Sequence, residues 1–473
     1  MELCGNYKEN IKRMDASLGV GESFDLIKKI LFVANTELTF YYLDGFVGPS
    51  MNKLLMFLAG LQKIEIPSGL YPESAIAYFA AHYLPFVETA PSGDPASLTR
   101  AALSGQAILF GECFGPYGIV IDCRSYPARS VGEPENDRVM IGSRDGFVET
   151  LVFNTALIRR RIRDPALRMK HLYIGSSGQT DVSLCYLEGK ADDAYVKKLT
   201  EKLSSIKTGA LTLGHESLAE LLIKKRWYNP FPKIRYTERP DVAASQILEG
   251  SVVVLCDNSP EAMILPSSIF DFLQETNDFY FPPPTGTYIR AVRYLVFLST
   301  LLLVPLWFLL VKNPEAAPTF LEFALPRSTG RIPIFLQLLL VEFMIDGLRM
   351  ACMNTPDMLS NSLSVVGGLI LGDFAVDVGW LIPEVILYMA FVSTANFSQR
   401  SYELGYAFKF MRISLIILIE LFNFVGFWIG VAGIAALLFS NRSVGGGRSY
   451  LYPLIPYDKK ALSSFFVRHR KRE

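Results

Sequence analysis

The 473-residue sequence predicts an α/β soluble region of two small subdomains followed by an α-helical multi-span membrane domain. Two observations carry this reading. Up to about Tyr288 the charges are mixed and strand-like runs alternate with helical patterns. From Tyr294 onward apolar stretches dominate, several of them near the roughly 20 residues a helix needs to cross the hydrocarbon layer. The length alone calls for at least two structural units. The divisions expected are 1–145 and 146–285 for the two soluble parts, 286–442 for the membrane domain and 443–473 for a basic tail.

In the first soluble part, Glu37 to Leu43 reads as a strand that ends on the turn pair Asp44-Gly45. Met51–Leu61 and Ser74–Val87 read as helices, Gln106–Phe110 and Gly118–Asp122 as strands. A helical linker is expected from Val148 to Arg163, with the basic run Arg159-Arg160-Arg161 either solvated or paired with acids of a neighbouring subdomain or subunit. In the second part, His171–Ile174, Asp181–Tyr186 and Ser251–Cys256 read as strands, and Ala194–Ser204 and Glu216–Leu222 as helices. Ala262–Leu265 is expected to pair with Ser251–Cys256 as a hairpin.

This half carries no motif that marks a reaction. There is no phosphate-binding Gly-x-x-x-x-Gly-Lys-Ser/Thr loop, no strand-linked GxGxxG and no Gly-x-Ser-x-Gly elbow. The six cysteines include no CxxC pair, and the four histidines form no ligand pattern, so free thiols and no structural zinc are expected. The formal net charge is zero, so bulk charge argues for no nucleic-acid or membrane-surface role. No enzyme, no cofactor and no metal are expected.

The apolar segments are Tyr294–Val311, Ile332–Met353, Leu363–Ile382, the short Val385–Phe397 and the long Ile413–Phe439. Glu342, Asp346 and Arg349 fall at steps of four and three, on one helical face. Asp373 and Asp377 lie one turn apart, and Glu420 and Asn423 share a side. Charges at a helix centre cost roughly 3 kcal/mol each on insertion scales, and persist where they line a polar path or pair with one another. Both readings stand at this point: a path for ions, or internal pairs such as Arg349 with Asp346 or Asp373. Gly367, Gly368 and Gly372 permit close helix approach, as a packing seam or as a constriction.

Orientation follows from basic residues. The C-terminal stretch carries Arg442, Arg448, Lys459, Lys460, Arg468, Arg470, Lys471 and Arg472 and is expected in the cytoplasm. The N-terminus has no apolar stretch of a signal peptide, so the soluble half is expected there too. Both ends inside require an even number of crossings. Five segments must therefore include one that does not cross, or one that crosses twice; four crossings is the preferred count.

Longer motifs resemble a family. Gly142–Arg163 (GSRDGFVETLVFNTALIRRRIR) is similar to the PRDGFxExLxxNxxLIRRRI segment of GerA-family spore germination proteins. Pro230–Gly250 (PFPKIRYTERPDVAASQILEG) resembles their PFPxxxxTERPDxxAxxLLEG segment, with Glu238, Arg239, Pro240 and Asp241 on its TERPD core. Gly330–Met350, Val365–Gly372 and Ser449–Pro456 continue the likeness. Asp257-Asn258-Ser259-Pro260 and the Gly286–Trp307 pattern resemble a stage V sporulation branch of the family. The resemblance implies a multi-pass protein of the inner spore membrane, in contact with membrane lipid. It also implies a homo-oligomer, a pentamer, whose membrane domains conduct cations during germination. Another small membrane subunit or germinant receptor subunits are implied as further partners. A membrane-anchored sensor or scaffold subunit of a receptor complex is the alternative.

Overall fold

A computed structural model describes residues 3–33, 36–67, 71–84, 88–124, 143–223, 228–275, 277–327, 330–353, 367–368, 372, 374–399, 401–446 and 449–468. The chain divides into two compact units. Unit 1 holds Met1–Lys225, Ile234–Ser267 and Ser443–Gly447; unit 2 holds Arg226–Lys233, Ser268–Arg442 and Arg448–Glu473.

Unit 1 contains two five-stranded antiparallel sheets built to one plan. The first runs α1 (Tyr7–Leu18), β1 (Leu26–Val33), β2 (Thr36–Leu43), α2 (Pro49–Ala59), α3 (Pro72–Tyr83), β3 (Thr89–Ser92), α4 (Pro95–Leu103), β4 (Ala107–Gly111) and β5 (Gly118–Ile121). The second repeats that order as α5 (Leu151–Arg161), β6 (Leu167–Ile174), β7 (Thr180–Leu187), α6 (Asp193–Ser204), α7 (His215–Leu222), β8 (Arg235–Thr237), α8 (Pro240–Leu248), β9 (Val252–Cys256) and β10 (Ala262–Leu265). The strand orders match position by position: β1-β2-β4-β5-β3 and β6-β7-β9-β10-β8.

Both sheets are covered on two faces, so their central strands are buried throughout and read as continuous apolar runs. In β2, Leu38 and Phe40 face the core under α2 and α3, while Tyr41 and Leu43 face α1 and α4. In β7, Leu184 packs with α6 and α7, and Cys185 and Leu187 with α5 and α8. The duplication reaches single side chains. The Asn10 amide bonds both backbone groups of Cys4, and the Asn154 amide bonds both of Val148. Each hairpin is followed by a glycine at positive φ, Gly45 at 78° and Gly189 at 77°, where a side chain would be strained.

The expected strands and helices of both soluble parts are present within a few residues, and Ala262–Leu265 pairs with Val252–Leu255 as an antiparallel hairpin. The segment read as a linker differs. α5 opens the second repeat, with Leu157 and Ile158 in its core. Arg159 is buried and paired with Asp25 of the first repeat, at 2.8 and 3.0 Å.

Unit 2 is helical: α9 (Asn277–Tyr280), α10 (Pro283–Lys312), α11 (Ile334–Met353), a single turn at Ala375–Asp377, α12 (Pro383–Phe397), α13 (Tyr402–Ser440) and α14 (Lys459–Phe466). Among the described residues, α10 and α13 are long and apolar enough to cross a membrane. α11 has 20 residues and carries three charges, and α12 has 15 residues.

α13 is not one straight rod. Asn423 has φ 53° and ψ −129°, outside the helical region. Beyond it the chain folds back: a Cβ at Gly426 would collide with the Leu418 carbonyl, and one at Gly430 with the Leu415 side chain. Ile434, Leu437 and Leu438 accordingly pack on the cluster that holds Leu404 and Phe408. The element is an antiparallel helical hairpin with arms 402–422 and 424–440.

The stretch expected as a tail is folded. Val444 lies in the core of unit 1, and its carbonyl accepts from the Tyr195 hydroxyl at 2.8 Å. Tyr450, Leu451 and Phe465 are buried in unit 2. Unit 2 also begins earlier than residue 286, because Ile269 and Phe272 pack with Leu404 and Phe408.

Candidate functional site

Helix α11 places Glu342 and Asp346 on one face because they are four residues apart. The first arm of α13 runs antiparallel to it and presents Lys409 and Arg412, three residues apart. Glu342 accepts from the Arg412 guanidinium, and Lys409 Nζ lies 3.6 Å from the same carboxylate oxygen. Asp346 accepts from Lys409. Arg412 Nη1 also donates to the Thr300 carbonyl of α10 at 2.7 Å. Glu342, Lys409 and Arg412 are buried, and the helices beside them are otherwise apolar. Two carboxylates and two cations thus form a ladder of zero net charge.

Arg349 continues the same face one turn on. Its guanidinium stands over the rings of Phe397, Tyr406 and Tyr402, at 4.6, 5.2 and 5.7 Å from their centroids. Planar guanidinium groups are suited to such stacking. Of the two acids the sequence offers to Arg349, Asp346 is instead bonded to Lys409, and Asp373 lies outside the described residues.

Glu420 and Asn423 form a second group, at the fold of the hairpin. Lys312 Nζ donates to Glu420 Oε2 at 2.8 Å. The side-chain amides of Asn313 and Asn423 bond each other reciprocally, at 2.6 and 2.8 Å. These contacts tie the end of α10 to the bend in α13.

The remaining residues are not brought into either group. Asp377 is exposed on its short turn, and Asp373 lies outside the described residues. A Cβ on Gly367 would strike the Leu348 side chain of α11; Gly368 and Gly372 have open space at that position. Lys409 and Arg412 were missed because they precede the apolar run Ile413–Phe439. Their three-residue spacing, complementary to Glu342 and Asp346, was the available signal.

In unit 1 the family-like motifs converge. The Phe147 amide donates to the Glu238 carbonyl at 2.7 Å, and the Asn258 amide to the Glu149 carbonyl at 2.7 Å. Asp257 Oδ1 accepts from the Leu151 amide at 3.0 Å, at the start of α5. Arg161 binds Asp145 at 2.6 Å. Arg239 is buried and holds Asp241 in a two-pronged contact, at 3.0 and 2.6 Å. Pro240 opens α8, where its missing N–H costs nothing. Burial alone would raise the Asp241 carboxyl, but the hydrogen bonds and charge of Arg239 prevail and hold it below the usual range. These contacts weld α5, α8 and the β9–β10 turn together.

Burial pushes the thiols of Cys185 and Cys256 up to about 12, so both are protonated packing residues. Among the described residues, no group of three or more His, Cys, Asp or Glu side chains could hold a metal ion.

Comparison with known proteins places this architecture. The family described as Bacillus/Clostridium GerA spore germination protein matches residues 13–473. Stage V sporulation protein AF of Bacillus subtilis is 36% identical over 98% of this chain and 93% of its own. Spore germination protein B1 of Bacillus subtilis is 25% identical over 99% of this chain and 95% of its own. The crystal structure of the N-terminal domain of the A subunit of the Bacillus megaterium spore germinant receptor GerK3 covers 56% of this chain and 96% of that one. Its sequence identity is 23% and its TM-score 0.42. The match over nearly the whole length establishes that the chain belongs to the GerA family of spore germination proteins.

Proposed function

We propose that this protein is a multi-pass subunit of an oligomeric cation channel that releases ions across the inner spore membrane during germination. The observation that carries the reading is the ladder of Glu342, Asp346, Lys409 and Arg412 between apolar helices. Ionised groups at membrane depth are expensive and mark ion pathways more often than they occur by accident. In a ring of subunits the paired charges would line or gate the path, with Asp373 and Asp377 as further candidates for it. The soluble half, with no enzyme motif, would face the cytoplasm and carry the assembly contacts, with a pentamer as the expected oligomer. The fold-back at Asn423 favours the alternative in which the last apolar segment crosses twice, and keeps both ends on one side.

A specific observation favours a second reading. Both acids of the ladder have a cation in the same chain, as a membrane anchor glued by internal pairs would need. In that case the protein is a scaffold or sensor subunit of a germinant receptor complex.

The test is cation release from germinating spores that carry Asp346→Asn or the exchange Asp346→Lys with Lys409→Asp. The channel reading expects slowed release in both at normal protein level. Slow release in the single variant with full recovery in the exchanged pair supports the anchor.

A further inference from the structure

The end of the chain carries a feature in which the ladder has no part. After the buried pair Tyr450-Leu451, four consecutive residues turn outward: Leu454, Ile455, Pro456 and Tyr457. The three large ones are 46%, 44% and 68% exposed. Asp458 then caps α14, and Lys459 and Lys460 stand exposed in its first turn. At the other end of α14, Phe465 turns in against Phe270, while Phe466 and Val467 turn out. An eight-residue helix with lysines at one end and exposed apolar groups beside them is not finished by the protein itself.

Its position is fixed. Arg290 Nη1 donates to the Ser464 carbonyl at 2.7 Å, and the Tyr294 hydroxyl to the Phe465 carbonyl at 3.0 Å. The Arg468 amide donates to Thr287 Oγ1 at 3.1 Å. α14 is therefore pinned on the first turns of α10, where that helix changes from polar to apolar at Tyr294. On α10 itself Tyr288, Val292 and Leu295 are exposed at steps of four and three, one stripe running into the apolar stretch. Asp278, buried between Arg290 and Arg293, holds this end of α10 rigid.

We infer that loop 454–457 and α14 form an interfacial foot that binds the anionic phospholipid surface of the membrane. Leu454, Ile455, Tyr457 and Phe466 enter the boundary between headgroups and acyl chains, and Lys459 and Lys460 meet lipid phosphates. Apolar and aromatic groups flanked by lysines at the mouth of a spanning helix have the composition of such a surface. The inference rests on α10 lying in a bilayer.

The experiment uses the full chain with its six cysteines replaced and Tyr457→Cys carrying an environment-sensitive fluorophore. It is reconstituted into vesicles of phosphatidylcholine alone or rich in phosphatidylglycerol, each with a headgroup-depth quencher. Quenching is expected in the phosphatidylglycerol vesicles, and to fall several-fold in phosphatidylcholine or with Lys459→Gln and Lys460→Gln. A fluorophore that stays in water in both vesicles overturns the inference, as does equal quenching in both that ignores the lysines. Flotation of the same samples separates the premise: protein that does not float with vesicles contradicts the bilayer reading of α10, whereas protein that floats with an unquenched label contradicts only the foot. Circular dichroism of the lysine variant confirms that α14 and the bundle remain folded.

Discussion

Glu342 of α11 and Arg412 of α13 are bonded across 70 residues of sequence, inside a cluster of apolar helices. Removing one partner of a buried pair leaves the other charge uncompensated, at a cost of about 3–5 kcal/mol. Arg412→Met is therefore expected to lower the melting temperature of the detergent-solubilised protein clearly. Arg412→Met with Glu342→Met should recover most of it. A double variant less stable than the single would contradict the pairing.

The Asp25–Arg159 pair joins the two repeats of unit 1 in the same manner. Arg159 also donates to the Leu167 carbonyl at 3.2 Å, so the guanidinium bridges β6 and the turn before β1. Asp25→Asn is expected to cost about 3 kcal/mol. Hydrogen exchange should locate the loss at β1 and β6, with the centre of each sheet still protected. Uniform acceleration across unit 1 would mean that the repeats do not open separately.

Asp241 makes a prediction about pH. Its folded pKa lies below the ordinary value of about 3.9. A depressed carboxyl contributes stability that is complete above the unfolded value and is lost as pH falls through the folded one. Protection of α8 from hydrogen exchange should therefore be constant from neutral pH down to about pH 4 and weaken below it. In Arg239→Gln that acid-dependent portion should be smaller, and protection lower at neutral pH. An unchanged acid limb would remove Arg239 as the cause.

The hairpin in α13 can be tested by proximity. In a straight helix Leu415 and Gly430 would stand about 22 Å apart. Cysteines placed at 415 and 430 in a cysteine-free background are expected to cross-link within one chain. Gly426→Val, which sets a branched side chain against the Leu418 carbonyl, should abolish the cross-link. Formation of the cross-link at the original rate in that variant would contradict the fold-back.

Much of unit 1 was legible because strands buried on both faces are apolar and short. The missed elements were those whose patterns are diluted. α1 is mostly polar, and only Tyr7, Asn10, Met14 and Leu18 of it are buried. β1 is an edge strand interrupted by Lys28 and Lys29. The duplication is visible in hindsight, since TELTFYYLDG at residues 36–45 and TDVSLCYLEG at 180–189 share their pattern of apolar and acidic positions. Their identical burial explains why that pattern is kept. In unit 2 the shared face of Glu342 and Asp346 followed from spacing, but their partners did not. Which helix faces α11 is a tertiary fact, and the three-residue spacing of Lys409 and Arg412 does not by itself name α11 as their partner. The bend at Asn423 was hidden for a similar reason, because an apolar run reads alike whether it is straight or folded.

The most direct measurement is monovalent cation efflux from vesicles that contain the purified full chain, compared with Glu342→Gln and Asp346→Asn at equal incorporation and equal oligomer size. The account predicts efflux from the wild-type protein and a change of several-fold in both variants. Wild-type vesicles that hold their cations, or variants that release them at the wild-type rate, would contradict it.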